Sequence, residues 1–462
     1  MVEKMTIENP LGTQPLNQLI WKFAIPGIIS QLVNSAHNIV DQVFLGWGVN
    51  DLAIGATNIA FPFTSIMTAA SALIGMGAAS HFSIFLGKKQ EKAAATYMGN
   101  AITMMAAIGI LLATVFSLFL EPVLHLFGAT EPIMEYAYPY ARIICLGIPF
   151  GIFAAGMSYF VRADGSPSYA SVILLSGAVF NIVFDPVFLF LFGMGIAGVA
   201  LATVLGQVLS AVLALYYLLK RLKTVSIVPE QLQIRLNIIG SIFSLGSAIF
   251  ATHVLATVVQ IIQMNAMKNY GALSIYGSEV AITASGAVAK LTIVFLSSII
   301  GIAIGCQPIL GYNLGNKKYN RVRKTYLLAL RYGSTVSAVA FLLLQLFPGI
   351  LLKLFGSDDP MFYEFATRYI RIYLAMMFLN ALQPITSTFC TSIGQAKMGF
   401  WMAVIRQGVL MIPLTLLLPT LLGIDGVLLA GSISDGITAL VVIVIGYREV
   451  KRLKKLQNEV SS

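Results

Sequence analysis

Apolar residues run along this chain in stretches of about 20 to 35, separated by short polar connections. Each stretch meets the roughly 20 residues a helix needs to cross a bilayer. The pattern predicts twelve spanning helices: 17–46, 52–85, 92–120, 132–161, 167–192, 196–220, 237–267, 281–312, 320–348, 360–392, 397–421 and 426–447. Within the first run the pattern changes. In QLVNSAHNIVD (31–41), Gln31, Asn34, His37, Asn38 and Asp41 share one third of a helical circumference, while the other faces carry Leu, Val, Ile and Ala. For the amides alone, a hydrogen-bond seam between helices is the preferred account. Asp41 carries the functional reading, because intramembrane charge is costly and faces a protein interior or a water-filled cavity.

The second half repeats the first. LFGATEP (126–132) returns as LFGSDDP (354–360), GIAGVALA (195–202) as GIDGVLLA (423–430), and LGKKQ (86–90) as LGNKKY (314–319), all near an offset of 228 residues. Six helices per repeat is an even number, so both halves enter the membrane in the same sense. The expected fold is an all-α integral membrane protein of twelve helices in two six-helix bundles, related by a pseudo-two-fold axis along the membrane normal. The joint is the basic segment 220–236, interrupted by Pro229, giving lobes 1–225 and 226–462.

Composition agrees: 58% of residues are hydrophobic and 10% charged, against about 25% charged in soluble proteins. The net charge of +10 is no sign of nucleic-acid binding, because the basic residues alternate between connections. Lys88, Lys89 and Lys92, Arg162, Lys220 to Arg235, Lys317 to Lys324, Lys397 and the C-terminal tail form one set. Asp51, Glu121, Glu131, Glu135, Glu279, Asp358, Asp359 and Asp425 lie in the other. The positive-inside rule then predicts a multi-pass plasma-membrane protein with both termini cytoplasmic. Cys145, Cys306 and Cys390 have no metal or disulfide spacing, the four histidines are scattered, and no catalytic motif is found. No cofactor and no enzyme activity are expected.

The repeats differ in their polar groups. Helix 5 carries Asn181 and Asp185 at i,i+4, where the second half has Leu410 and Leu414; helix 6 adds Thr203 and Gln207 at the same spacing. Pro186 follows Asp185, so a kink there would free a backbone carbonyl. Asp41, Asn181, Asp185 and Thr203 offer hard oxygen ligands for a small cation such as Na⁺. Two carboxylates held together equally suit a carried proton, and both chemistries stay open. In the second half, Asp435 is expected to pair with Arg406 or Lys290. Pro26 is a candidate hinge in helix 1. Phe61, Phe63, Met67, Phe150, Phe153, Met376, Met377 and Phe378 are candidates for an adaptable cavity wall, with ordinary packing as the competing account.

Together with NIVDQVFLG (38–46), RADGSP (162–167) and NIVFDP (181–186), this organisation resembles the MATE family of multidrug and toxic compound extruders, and in particular its DinF-like prokaryotic branch. The resemblance implies a first-lobe cation site at Asp41, Asn181, Asp185 and Thr203, joined by Tyr140 of helix 4. It also implies export of lipophilic, mostly cationic small molecules, driven by H⁺ or Na⁺, by a protein acting as a monomer. Gln31, Asn34, His37, Asn38, Phe61, Met67, Phe150, Phe153 and Gln207 are the expected substrate cavity. The NorM-like branch uses a helix 7 glutamate where this chain offers only Gln260 and Gln263. The alternative is a flippase or exporter of a lipid-linked or amphipathic metabolite; a passive channel or membrane enzyme is a third reading.

Overall fold

The computed structural model describes residues 9–353 and 359–461, apart from the side chains of Asn38, Ile39, Val43, Asp51 and Ser461. Asn38 and Asp51 as side chains, Asp358, and most of the LFGSDDP repeat therefore lie outside the described residues. Twelve helices cross in alternating directions. Those of the first bundle are α1 (Leu16–Gly48), α2 (Asp51–Gly87), α3 (Glu91–Leu118), α4 (Glu131–Ala163), α5 (Pro167–Pro186) and α6 (Gly195–Lys220). The second holds α7 (Leu236–Ala272), α8 (Gly277–Gly315), α9 (Tyr319–Leu346), α10 (Pro360–Ser392, interrupted), α11 (Ala396–Leu422) and α12 (Ile424–Ser461).

The repeat is written into the backbone as well as the sequence. Lys89 and Lys317 both take positive φ (59° and 56°), and so do Gly165 and Gly394 (84° and 80°) and Gly195 and Gly423 (58° and 59°). Each pair is 228 or 229 residues apart. For the lysines this is a left-handed position that non-glycine residues rarely adopt.

Three helices are less regular than their hydropathy predicts. α10 breaks between Tyr373 and Leu382, with a 3₁₀ turn at Met377–Leu379. Broken backbone at membrane depth needs partners from neighbouring elements. Gln345 of α9 donates to the Ile370 carbonyl at 3.2 Å, and Ser432 of α12 donates to the carbonyls of Ile372 and, at 3.1 Å, Tyr373. α11 winds as a π helix over Val404–Met411, just ahead of Pro413, and α5 continues past Pro186 into a π turn at Val187–Leu191. Helix 5 therefore runs on through Asp185-Pro186 and relaxes its register afterwards.

The bundles meet at the end that carries both termini. Gly27 faces Gly301, where an added Cβ on Gly27 would come within 3.1 Å of the Gly301 carbonyl; Cβ atoms on Gly246 and Gly77 would collide with α2 and α7 backbone. His81 stacks on Tyr97 at 4.5 Å and meets the Ser241 carbonyl at 3.3 Å. Arg321 and Asn313 bind the carbonyls of Gln14 and Leu11 at 2.8 and 2.9 Å. Among the described residues, no hydrogen bond joins α1 beyond Ser35 (to Ser297, 3.2 Å), or α2 before Ser65 (to Thr257, 2.9 Å), to the second bundle. The inter-bundle hydrogen bonds and close backbone approaches described thus gather at the terminus-bearing end.

One expected connection residue is not in a connection. α4 runs two residues further than predicted, and Arg162 is buried (4% exposed), lying over the Tyr159 ring at 5.3 Å and donating to Ser158 at 3.2 Å. Asp164, next in the same loop, accepts from Tyr217 (2.6 Å), the Lys223 amide (3.0 Å), and the Thr224 amide and hydroxyl (2.9 and 2.6 Å). Burial pushes this carboxyl up from its ordinary value, against those four bonds, which favour the charged form. One carboxylate thus clasps the α4–α5 loop to the chain leaving α6.

Candidate functional site

α1, α4, α5 and α6 bring Asp41, Tyr140, Asn181, Asp185 and Thr203 into one polar cluster in an otherwise apolar bundle. Asn181 and Asp185 lie one turn apart on α5 and are 1% and 0% exposed. Asn181 Nδ2 donates to Thr203 Oγ1 at 2.9 Å, and Thr203 donates its own proton to the Val199 carbonyl at 3.1 Å. The amide is therefore held with Oδ1 uncommitted. Asp185 and Asp41 are close enough to interact electrostatically, and the Tyr140 hydroxyl is near both. His37 Nδ1 lies 3.0 Å from Asp41 Oδ1 across one turn of α1.

Three buried oxygens of this cluster find no hydrogen-bond donor among the described residues, Asn181 Oδ1 and both oxygens of Asp185, and Asp41 Oδ1 meets the His37 ring nitrogen at 3.0 Å. Unpaired buried acceptors are costly, and two adjacent carboxylates add repulsion. A cation relieves both costs. The donor set is all oxygen, which fits a proton shared between carboxylates and equally fits Na⁺. No group of three or more His, Cys, Asp or Glu side chains among the described residues has the spacing for a transition metal.

The other candidates divide. Gln207 and Met67 meet on the Gly147–Gly151 face of α4. Gln31 and His37 are half-buried and Asn34 is exposed on α1. Phe61 is 47% exposed, one turn from Ser65, whose hydroxyl bonds α7; it therefore stands on the cleft side of α2. Phe153 packs against the main core, and Phe150 shares an exposed stripe of α4 with Leu146. Phe63 and Met377 are not cavity residues. Phe63 is fully buried between Phe116 and Phe127, and Met377 is 1% exposed at the break in α10. Of the two partners expected for Asp435, Arg406 holds it, through Nη2 at 2.8 Å and Nε at 2.9 Å, whereas Lys290 is exposed. Pro26 lies inside an unbroken α1, its carbonyl accepting from Ser30 (2.8 Å) and Ser171 of α5 (2.7 Å).

Two polar contacts were invisible to spacing arguments. Gln42, next to Asp41, donates to Asn58 of α2 at 3.4 Å, and Asn50 caps α2 while donating to Tyr136 of α4 at 2.8 Å. Each joins residues whose sequence separation gives no periodic signal.

Comparison with known proteins places this architecture. The MatE family profile matches residues 26–187 and 238–417, one segment in each bundle. The multidrug export protein MepA of Staphylococcus aureus is 23% identical over 433 residues, 94% of each chain. Among solved structures, a MOP superfamily transporter from Pyrococcus furiosus superposes with a TM-score of 0.90 at 20% identity, covering 98% of this chain and 100% of that one. A multidrug resistance MATE transporter in an outward-facing conformation gives 0.89 at 20% identity over the same shares. With about three-quarters of its length inside the profile and twelve helices in two bundles, the chain belongs to the MatE family of membrane transporters and is not an enzyme.

Proposed function

We propose that this protein is a secondary active exporter of lipophilic, mostly cationic compounds, exchanging them for H⁺ or Na⁺ by alternating access. The observation that carries the reading is the first-bundle cluster of three buried, donorless oxygens on Asn181 and Asp185 beside the Asp41 carboxylate. A site that must be neutralised from outside suits an ion that comes and goes. MepA, named for multidrug export, supports the substrate class. A cation entering this cluster cancels the charge that would hold a cationic drug, so ion and drug compete. The cleft between the bundles, with Gln31, Asn34, His37, Phe61, Met67 and Gln207 on its first-bundle side, is where such compounds would lie.

In this reading the protein works as a monomer in the plasma membrane with both termini cytoplasmic. The lobes join between residues 225 and 226, and Gln260 and Gln263 on α7, in place of a glutamate, favour the DinF-like branch. With the termini inside, the sealed end faces the cytoplasm and the cleft opens outward.

The test is uptake of a fluorescent lipophilic cation into proteoliposomes, with pH and Na⁺ gradients imposed separately. One gradient should drive uptake, and Asp41→Asn, at normal expression and monodispersity, should abolish it. Uptake without either gradient, or undiminished in Asp41→Asn, would overturn the reading.

A further inference from the structure

The second bundle holds a cavity that the proposed ion chemistry does not use. Its volume is about 140 Å³, and its polar lining is Gln260 and Gln263 of α7, Tyr373 at the break in α10, Arg406 and Gln407 in the π segment of α11, and Ser434 of α12. Both helical irregularities of this bundle, the α10 break and the α11 π segment, deliver a polar side chain here. π segments inside α helices recur at functional sites.

The repeat explains why the space exists. At the offset of 228 or 229 residues, Arg406 and Ser434 correspond to Gly177 and Gly206 of the first bundle. There the two glycines let α5 and α6 touch backbone to backbone: a Cβ on Gly206 would lie 2.6 Å from the Gly177 carbonyl. In the second bundle Ser434 instead donates to the Arg406 carbonyl at 3.0 Å, and the helices stand around a guanidinium.

The charge shown to the cavity is positive. Arg406 is its charged lining residue, while Asp435 is not part of the lining. Arg406 spends Nε and Nη2 on a single oxygen of Asp435, at 2.9 and 2.8 Å. Its Nη1 has no hydrogen-bond partner among the described residues. Gln263 is committed, donating to Tyr369 at 2.8 Å; the Gln260 and Gln407 amides make no hydrogen bond among the described residues. One guanidinium edge flanked by two amide groups is the arrangement that recognises a planar anionic oxygen group.

We infer that this second-bundle cavity binds the carboxylate of an anionic or zwitterionic ligand, with Asp435 as the built-in competitor for Arg406. The volume is below the roughly 300 Å³ at which drug-sized pockets begin, so it takes the carboxylate-bearing head and leaves the rest of the molecule outside. The inference rests on the proposed export role only for why such ligands are met, and it extends the substrate range beyond simple cations.

The test is equilibrium binding to the purified protein in lipid nanodiscs, with no gradient, so its failure leaves the first-bundle reading untouched. A zwitterionic fluoroquinolone, read by its own fluorescence, is titrated against its methyl ester, which lacks the carboxylate. The acid should bind about tenfold tighter than the ester, the scale of one charge-assisted hydrogen bond. Arg406→Gln should erase that preference and Arg406→Lys, which keeps the charge and guards against misfolding, should retain part of it. Asp435→Asn should widen it by freeing the guanidinium. A purely structural ion pair predicts that Arg406→Gln and Asp435→Asn act in the same direction. That result, or a preference absent from the unmodified protein, or one surviving Arg406→Gln, overturns the inference.

Discussion

Thr203→Val isolates the part of the first-bundle cluster that orients rather than binds. The hydroxyl does two things: it donates to Val199 of its own helix at 3.1 Å and accepts the Asn181 amide at 2.9 Å. Its single proton is used on the backbone, so only its lone pairs hold Asn181, and the Asn181 carbonyl is thereby left open to the proposed cation. Valine keeps the shape and removes both functions. Asn181 is 1% exposed, so its Nδ2 is stranded away from water, at a cost of about 1–3 kcal/mol. Loss of that much from the ion-bound geometry weakens the coupling ion by roughly 5- to 150-fold. The assay is gradient-driven vesicle uptake measured against the concentration of whichever ion drives it. Thr203→Val should raise the half-saturating concentration at least fivefold, while Thr203→Ser, which keeps the hydroxyl, should track the unmodified protein. An unchanged half-saturation in the valine variant, with protein folded and inserted, would show that Asn181 needs no such support and that its carbonyl is not an ion ligand.

Two further outcomes follow from the packing. Gly301→Val places carbon where a Cβ already meets the Ile28 amide at 2.6 Å, an overpacking of about 1–3 kcal/mol against backbone; spin-label distances across the terminus-bearing end should lengthen, and an unaltered distribution would mean the seal does not depend on that approach. Asp164→Asn turns an amide toward Tyr217 and the Lys223 amide, donors that now face a donor; thermal stability should fall by about 1–3 kcal/mol, and a variant as stable as its parent would show the clasp to be dispensable.

How far the chain could be read in advance depends on which kind of interaction decides each feature. The twelve spans and the repeat follow from hydropathy and recurrence, which act locally. Asn181 with Asp185 and Thr203 with Gln207 were visible because i,i+4 spacing fixes a shared face. The break in α10 was not, because it is stabilised from outside, by Gln345 and Ser432, far away in sequence. The π segments change hydrogen-bond register without changing hydropathy. Whether Phe63 and Met377 face core or cavity was not legible, because an apolar side chain carries no mark of it. Arg162, charged and beside a turn, was expected in a water-facing connection, but α4 runs on two residues through it and it is buried.

The hydroxyl that Ser171 gives to the Pro26 carbonyl ties α1 to α5 at a second point, far below their carboxylates. Pro26 and Asp41 are fifteen residues apart on α1, Ser171 and Asp185 fourteen on α5, so the two crosspieces stand roughly 20 Å apart at 1.5 Å per residue. Two rails joined by two rungs cannot hinge independently. They shear together or one rung lets go. In the proposed ion exchange, a change of charge between the carboxylates would bear on α1 and α5, which Ser171 holds together lower down. Under that proposal, Ser171, which has no ionisable group, is where a shift of α1 against α5 would first be felt.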